Sequence, residues 1–223
     1  MANNKTRIVL IHAVRLSIDP IAEAFASDWP DAEMVNVLDD SLSRDRENDG
    51  EITPSMMRRI EGLMRYGIDI GAGGILFSCS AFGEAIEAAR TSVDIPVLKP
   101  NEAMFEMAMK TGARIGLLAT FRPSIDSMEE EFHEMAKARG LSTTLESVLV
   151  EDAMDALKRG DRRSHDQLIA QSAAQLESCD AIMLAQFSMA RASPSVVRAV
   201  ACLVLTSPTS AVEKMKRLIG EAH

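Results

Sequence analysis

Short runs of isoleucine, valine and leucine alternate along this chain with longer stretches whose apolar residues recur every three or four positions. The short runs read as buried strands and the longer ones as amphipathic helices. Strand-like runs cover residues 7–13, 33–38, 73–77, 95–98, 114–118, 143–148, 181–185 and 201–205. Helix signals fill the intervals. Thr53 followed by Pro54 places a cap and a first-turn proline before a segment whose Met57, Ile60 and Met64 share one face. Asn101 caps the next segment and Gly112 ends it, while Gly140 stops the helix after it. Strand-helix alternation of this kind predicts an α/β fold of parallel sheets with right-handed crossovers.

The pattern occurs twice. ARIGLLAT echoes TRIVLIHA, with Arg114 standing 107 positions after Arg7. DAIMLAQFS echoes GGILFSCSA, with Gln186 again 107 positions after Cys79. VLTSP resembles PVLKP at nearly the same offset. A constant offset between two sets of strands predicts a duplicated α/β unit. Two similar lobes with a cleft between them follow. The first covers residues 1–100 plus a returning C-terminal helix at 209–223, and the second covers 101–208.

Composition narrows the function classes. The 223 residues are 47% apolar and 26% charged, as expected for a packed globular chain, and the formal charge is −9. That balance argues against nucleic acid as the main partner, since phosphate binding needs a basic face. No apolar run approaches the roughly 18 residues of a membrane span, so no membrane partner is expected. The run IVLI near the N-terminus meets His12 and Arg15 and reads as a first strand rather than a secretion signal. The three cysteines form no close pair and lie in no histidine cluster, which predicts neither a disulfide framework nor a metal site. A reducing cytoplasm is the expected compartment. The glycines of GAGG precede a strand rather than a helix, so no dinucleotide cofactor is expected from them. The fourteen methionines fall mostly at helical spacing and read as core.

Ligands of open parallel sheets bind beyond the carboxyl ends of strands. His12 and Arg15 follow the first predicted strand; Asp39, Asp40 and the polar run SLSRDRENDGE follow the second. Ser78, Cys79 and Ser80 follow the third, and Lys99 the fourth. The second half offers Thr120, Arg122 and Ser124, then Gln186, Ser188 and Arg191, then Thr206 and Ser207. Hydroxyls, a few cations, one thiol and one amide suit a small acid held by hydroxyls and by N–H groups at helix starts.

Cys79 has two readings. A thiol between a strand and a helix start faces oriented N–H groups, which lower its pKa and favour thiolate. Free cysteine is equally a common core residue. His12 is either a base near that thiol or a hydrogen-bonded histidine closing the first strand. His133 and His165 read as surface or cap residues. The polar run SLSRDRENDGE reads as a solvated loop, with a mobile lid as the alternative. Cys179 and Cys202 read as core. Surface placement is the simpler reading of Arg15, Lys99, Arg122 and Arg191, although an anionic substrate would suit them.

FSCSAFG, GARIGLLATFRPS, DAIMLAQFSMA and VLTSPTSAV, in that order, resemble the aspartate/glutamate/hydantoin racemase superfamily. That superfamily also holds maleate isomerases and arylmalonate decarboxylases. The resemblance spans essentially the whole chain. It implies an enzyme without pyridoxal phosphate, nucleotide or metal, acting on a small carboxylate or amino acid and assembling as a dimer or larger homo-oligomer. In racemases of this kind two cysteines, one per lobe, remove and supply the α-proton from opposite sides. Cys79 matches the first-lobe cysteine. Thr120 and Ser124 match the stretch that helps hold a substrate carboxylate, and Ser80 matches a contact beside the thiol. Gln186 stands where the second cysteine belongs, and with Ser188 it would stabilise developing negative charge. An amide neither donates nor accepts a proton near neutral pH. Three classes therefore stand open: a one-thiol decarboxylase, isomerase or lyase; a racemase in which His12 or a water held by Gln186 replaces the thiol; and a non-catalytic protein that binds small acids.

Overall fold

The computed structural model describes residues 5–221. The chain divides into two units, one of residues up to Glu102 with those from Ala211 onward, the other Ala103–Ser210. Each contains one four-stranded parallel sheet.

In the first unit the strands are β1 (Arg7–His12), β2 (Glu33–Leu38), β3 (Gly74–Phe77) and β4 (Val97–Leu98), in the order β2-β1-β3-β4. Its helices are α1 (Ile18–Asp28), α2 (Ser41–Asp49), α3 (Pro54–Asp69) and α4 (Gly83–Arg90). Alternation along β1 and β3 sends Val9, Ile11, Ile75 and Phe77 to one face, where they pack with Leu42, Met56, Ile60, Met64 and Ile86. Ile8, Leu10 and Leu76 are buried on the other. Gly74 lies close beneath Met215: a β-carbon there would meet the thioether sulfur at 2.6 Å. Thr53 caps α3 as its sequence implies, accepting the Met56 N–H at 3.3 Å.

The second unit repeats the plan. It begins in the first turn of α5 (Glu102–Thr111), and its strands are β5 (Arg114–Ala119), β6 (Thr144–Leu149), β7 (Ala181–Leu184) and β8 (Leu203–Thr206). They run in the order β6-β5-β7-β8. Its other helices are α6 (Pro123–Ala138), α7 (Ala153–Lys158), α8 (Arg162–Ala173) and α9 (Ser193–Ala199); α10 (Ser207–Glu221) leads back to the first unit. The register carries the 107-residue offset exactly through three of the four strands. Ile8 pairs Gly74 and Ile115 pairs Ala181; Ile75 pairs Val97 and Ile182 pairs Val204. The second core joins Leu117, Leu118, Ile182 and Met183 to Phe105, Phe132 and Ile169, with the two phenylalanine rings edge-on at 5.6 Å.

Two expectations need correction. The run SLSRDRENDGE is no loop: it forms α2, closed by Gly50 at φ 72°. It holds one buried apolar residue, Leu42, so no hydrophobic period announced it. Polar contacts fix it instead. Asp39 Oδ1 accepts from the Ser41 N–H and hydroxyl, and the Arg59 guanidinium reaches Asp39, Ser41 and Asp45. His165 is not at the surface. It is fully buried on α8, with Nδ1 2.7 Å from Asp166 Oδ1. His133 is exposed, as expected.

Candidate active site

Cys79 follows β3 with extended backbone (φ −122°, ψ 119°) and opens a 3-10 turn, Ser80–Phe82, that leads into α4. Alternation puts it on the same face as Phe77, and it packs half-buried against the core that contains Leu42. Burial pushes its thiol above the ordinary value; the Ala81 N–H, the Ser43 hydroxyl and the Arg46 charge oppose that rise without cancelling it. The expected thiolate is therefore corrected: Cys79 is a neutral thiol near neutral pH, because desolvation outweighs the donors. Ser43 and Arg46 sit three residues apart on one face of α2. Sequence reading missed both, since their spacing means something only once α2 is known to be a helix.

His12 does not serve that thiol. It lies on the sheet face opposite Cys79, fully buried, and both ring nitrogens are engaged. Nε2 donates to Asn36 Oδ1 at 2.9 Å, which leaves Nδ1 to accept the Ser78 hydroxyl at 2.7 Å. Burial lowers its pKa despite the Asn36 contact, so the ring is neutral. The strand-closing reading of His12 is the one the geometry matches. Asn36 was missed; its signal is a lone amide inside an otherwise apolar strand. Ser80 is half-buried in the turn after Cys79.

In the second unit Gln186 occupies the position equivalent to Cys79. It too follows a strand with extended backbone (φ −103°, ψ 147°) and opens a 3-10 turn, Phe187–Ala192. Its carboxamide is drawn onto the end of β5. Oε1 accepts from the Thr120 N–H at 2.9 Å and from the Thr120 hydroxyl at 3.2 Å. Nε2 donates to the Ser124 hydroxyl at 2.7 Å, which in turn donates to the Phe121 carbonyl at 2.8 Å. Thr120, Ser124 and Ser188 are all buried. Three of the predicted binding residues, Thr120, Ser124 and Gln186, are thus in direct contact.

The cations near the strand ends are mostly engaged. Arg15 pairs with Asp40, Lys99 with Glu87 and Arg191 with Asp166, while Arg122 is exposed at the start of α6. Asp166 accepts both Arg191 contacts, at 2.9 and 3.0 Å, and so ties the turn after Gln186 to α8. Burial alone would raise the Asp166 carboxyl; hydrogen bonds from Arg191 and His165 overcome it and hold the group low. Cys179 is buried and Cys202 half-buried, both packed with the second core. Among the described residues no group of three or more histidine, cysteine, aspartate or glutamate side chains is placed to hold a metal ion. No helix among them is long and apolar enough to cross a membrane.

The family model for Asp/Glu/hydantoin racemases matches residues 18–215. The chain belongs to the Asp/Glu/hydantoin racemase family. Solved structures of that kind share its fold across nearly its whole length. A glutamate racemase isoform from Bacillus anthracis is 12% identical, with a TM-score of 0.70 over 99% of this chain and 83% of its own. An allantoin racemase from Klebsiella pneumoniae is 17% identical, with a TM-score of 0.71 over 98% and 89%. A mutant of arylmalonate decarboxylase is 18% identical, with a TM-score of 0.65 over 97% and 94%. No curated protein matches by sequence. At these identities the likeness establishes the fold, and both racemases and a decarboxylase share it.

Proposed function

We propose that this chain is a cofactor-independent enzyme in which Cys79 delivers a proton to the carbon beside the carboxylate of a small acid. One observation carries the reading. At the position equivalent to Cys79 the second unit holds an amide, Gln186, whose oxygen and nitrogen are both hydrogen-bonded. Two-thiol racemisation therefore lacks its second thiol, and His12 cannot stand in while both its nitrogens are engaged.

A neutral thiol suits the role of acid. In a decarboxylation the bond between the α-carbon and the departing carboxylate breaks, CO₂ leaves, and the electron pair remains as an enediolate on the retained carboxylate. The thiol proton moves to the α-carbon. The thiolate left on Cys79 is met by the Ala81 N–H and Arg46, and by the Ser43 hydroxyl once it turns from the Ala13 carbonyl it serves at 2.9 Å; water returns the proton. Within the second unit, the Thr120 N–H and the Thr120 and Ser124 hydroxyls are donors of the kind that suits a carboxylate. Isomerisation and lyase chemistry use the same single acid. Racemisation is the second reading, supported by the family to which the chain belongs.

The test is turnover of a panel of malonates, cis-unsaturated diacids, amino acids and hydantoins by wild type and Cys79→Ser. Loss of CO₂ or a shifted double bond that disappears in the variant supports the one-thiol reading. Inversion by wild type would favour the racemase. Binding without turnover, unchanged in the variant, would mean that the chain is a small-acid-binding protein.

A further inference from the structure

We propose that Gln186 occupies a carboxylate-sized subsite in the second unit and that a small carboxylate binds there by displacing it. The proposal rests on the carboxylate reading of Thr120 and Ser124 given above and adds that Gln186 fills their contacts. A planar carboxamide oxygen taking one backbone N–H and one hydroxyl presents to Thr120 what one carboxylate oxygen would present. The amide nitrogen stands where the second carboxylate oxygen would lie, 2.7 Å from Ser124 Oγ.

That nitrogen makes the difference between the two occupants. Ser124 has one proton, and with the amide in place it spends that proton on the Phe121 carbonyl while accepting from Nε2. A carboxylate oxygen only accepts, so Ser124 must turn and donate to it, and the Phe121 carbonyl gives up the hydroxyl and keeps the Ser124 N–H alone. The hydroxyl is therefore set for the amide. A ligand must both eject Gln186 and reverse Ser124. Gln186 is on this account an affinity-setting residue. It favours acids with enough further contacts to offset the exchange, and it keeps out solvent anions such as chloride or acetate.

The Thr120 amide proton reports the exchange directly. Its resonance is followed by nitrogen-15 NMR while malonate is added to the wild-type chain, to Gln186→Ala and to Gln186→Glu. With the three hydrogen bonds of the plug removed, Gln186→Ala should bind malonate about 10- to 100-fold more tightly than wild type, with Thr120 moving in both. Gln186→Glu carries its own carboxylate into the same contacts. Its Thr120 resonance should start displaced and not respond. Equal affinity in wild type and Gln186→Ala, with Thr120 moving in both, would overturn the plug and leave the carboxylate reading standing. A Thr120 resonance indifferent to malonate even in Gln186→Ala would overturn both. Should Gln186→Ala lose the fold, a Gln186→Glu chain that still answers malonate as wild type does would equally defeat the plug.

Discussion

Gln186→Cys restores the missing thiol and tests two claims in one variant. The extended backbone at this position suits any residue, so no strain enters with the substitution. The side chain loses three hydrogen bonds, to the Thr120 N–H, the Thr120 hydroxyl and the Ser124 hydroxyl. Each contributes a net stability of about 1 kcal/mol. Freeing an ordered glutamine returns roughly 1 kcal/mol of side-chain entropy. The net loss is then about 2 kcal/mol, or roughly 4–8 °C in Tm for a chain of this size. Differential scanning calorimetry measures it, with Gln186→Glu as a partner that keeps the contacts to Thr120. A Gln186→Cys chain as stable as wild type would refute the claim that the amide is held by those bonds. The same variant is incubated with single enantiomers of small acids and followed by chiral chromatography. A gain of inverted product is expected, because a second proton-transferring group now stands at the equivalent strand end. Exchange at the α-carbon with no inversion in the variant would refute the claim that the amide at position 186 is what bars inversion.

Three further outcomes follow from the same geometry. His12 is buried and neutral, so its folded pKa lies below the ordinary 6.5; the unfolded chain binds the extra proton first, and stability falls as pH drops through 6.5 toward the lowered value. Urea unfolding across that window should show the fall in wild type and a flatter profile in His12→Gln. Asp166→Asn removes the charge that meets Arg191 and His165, and should cost about 1–2 kcal/mol and speed amide exchange in the turn after Gln186; unchanged exchange there would mean that the pair does not anchor that turn. The Cys79 thiol, raised above 9.0 by burial, should alkylate slowly at neutral pH and faster only on the alkaline side of that value, and Arg46→Ala should raise it further. Peptide mapping of Cys79 after iodoacetamide checks this, and rapid alkylation at neutral pH in wild type would contradict it.

The sheets were legible in the sequence because buried parallel strands are nearly continuous apolar runs. All eight appear where those runs fall, with ends shifted by a residue or two. The repeat was legible because the strand pairs keep one offset, down to the paired residues of β1 with β3 and β5 with β7. The helix α2 was not, since polar contacts to Arg59 hold it rather than an apolar stripe. The contact among Thr120, Ser124 and Gln186 was half legible: their places at strand ends could be read, but that the amide folds onto Thr120 could not. His165 shows the same limit. A histidine within RRSHDQ reads as exposed until the structure buries it beside Asp166. The thiol of Cys79 was placed correctly after its strand, while its ionisation depended on burial that no spacing reveals.

Deuterium incorporation tests the central claim most directly. A turned-over small acid is processed in D₂O by wild type and by Cys79→Ser, and the product is read by NMR and chiral chromatography. The account predicts one deuterium on the carbon beside the carboxylate, product of a single configuration, and loss of both in the variant. Label entering equally without Cys79, or a racemic product from wild type with Gln186 in place, would contradict it.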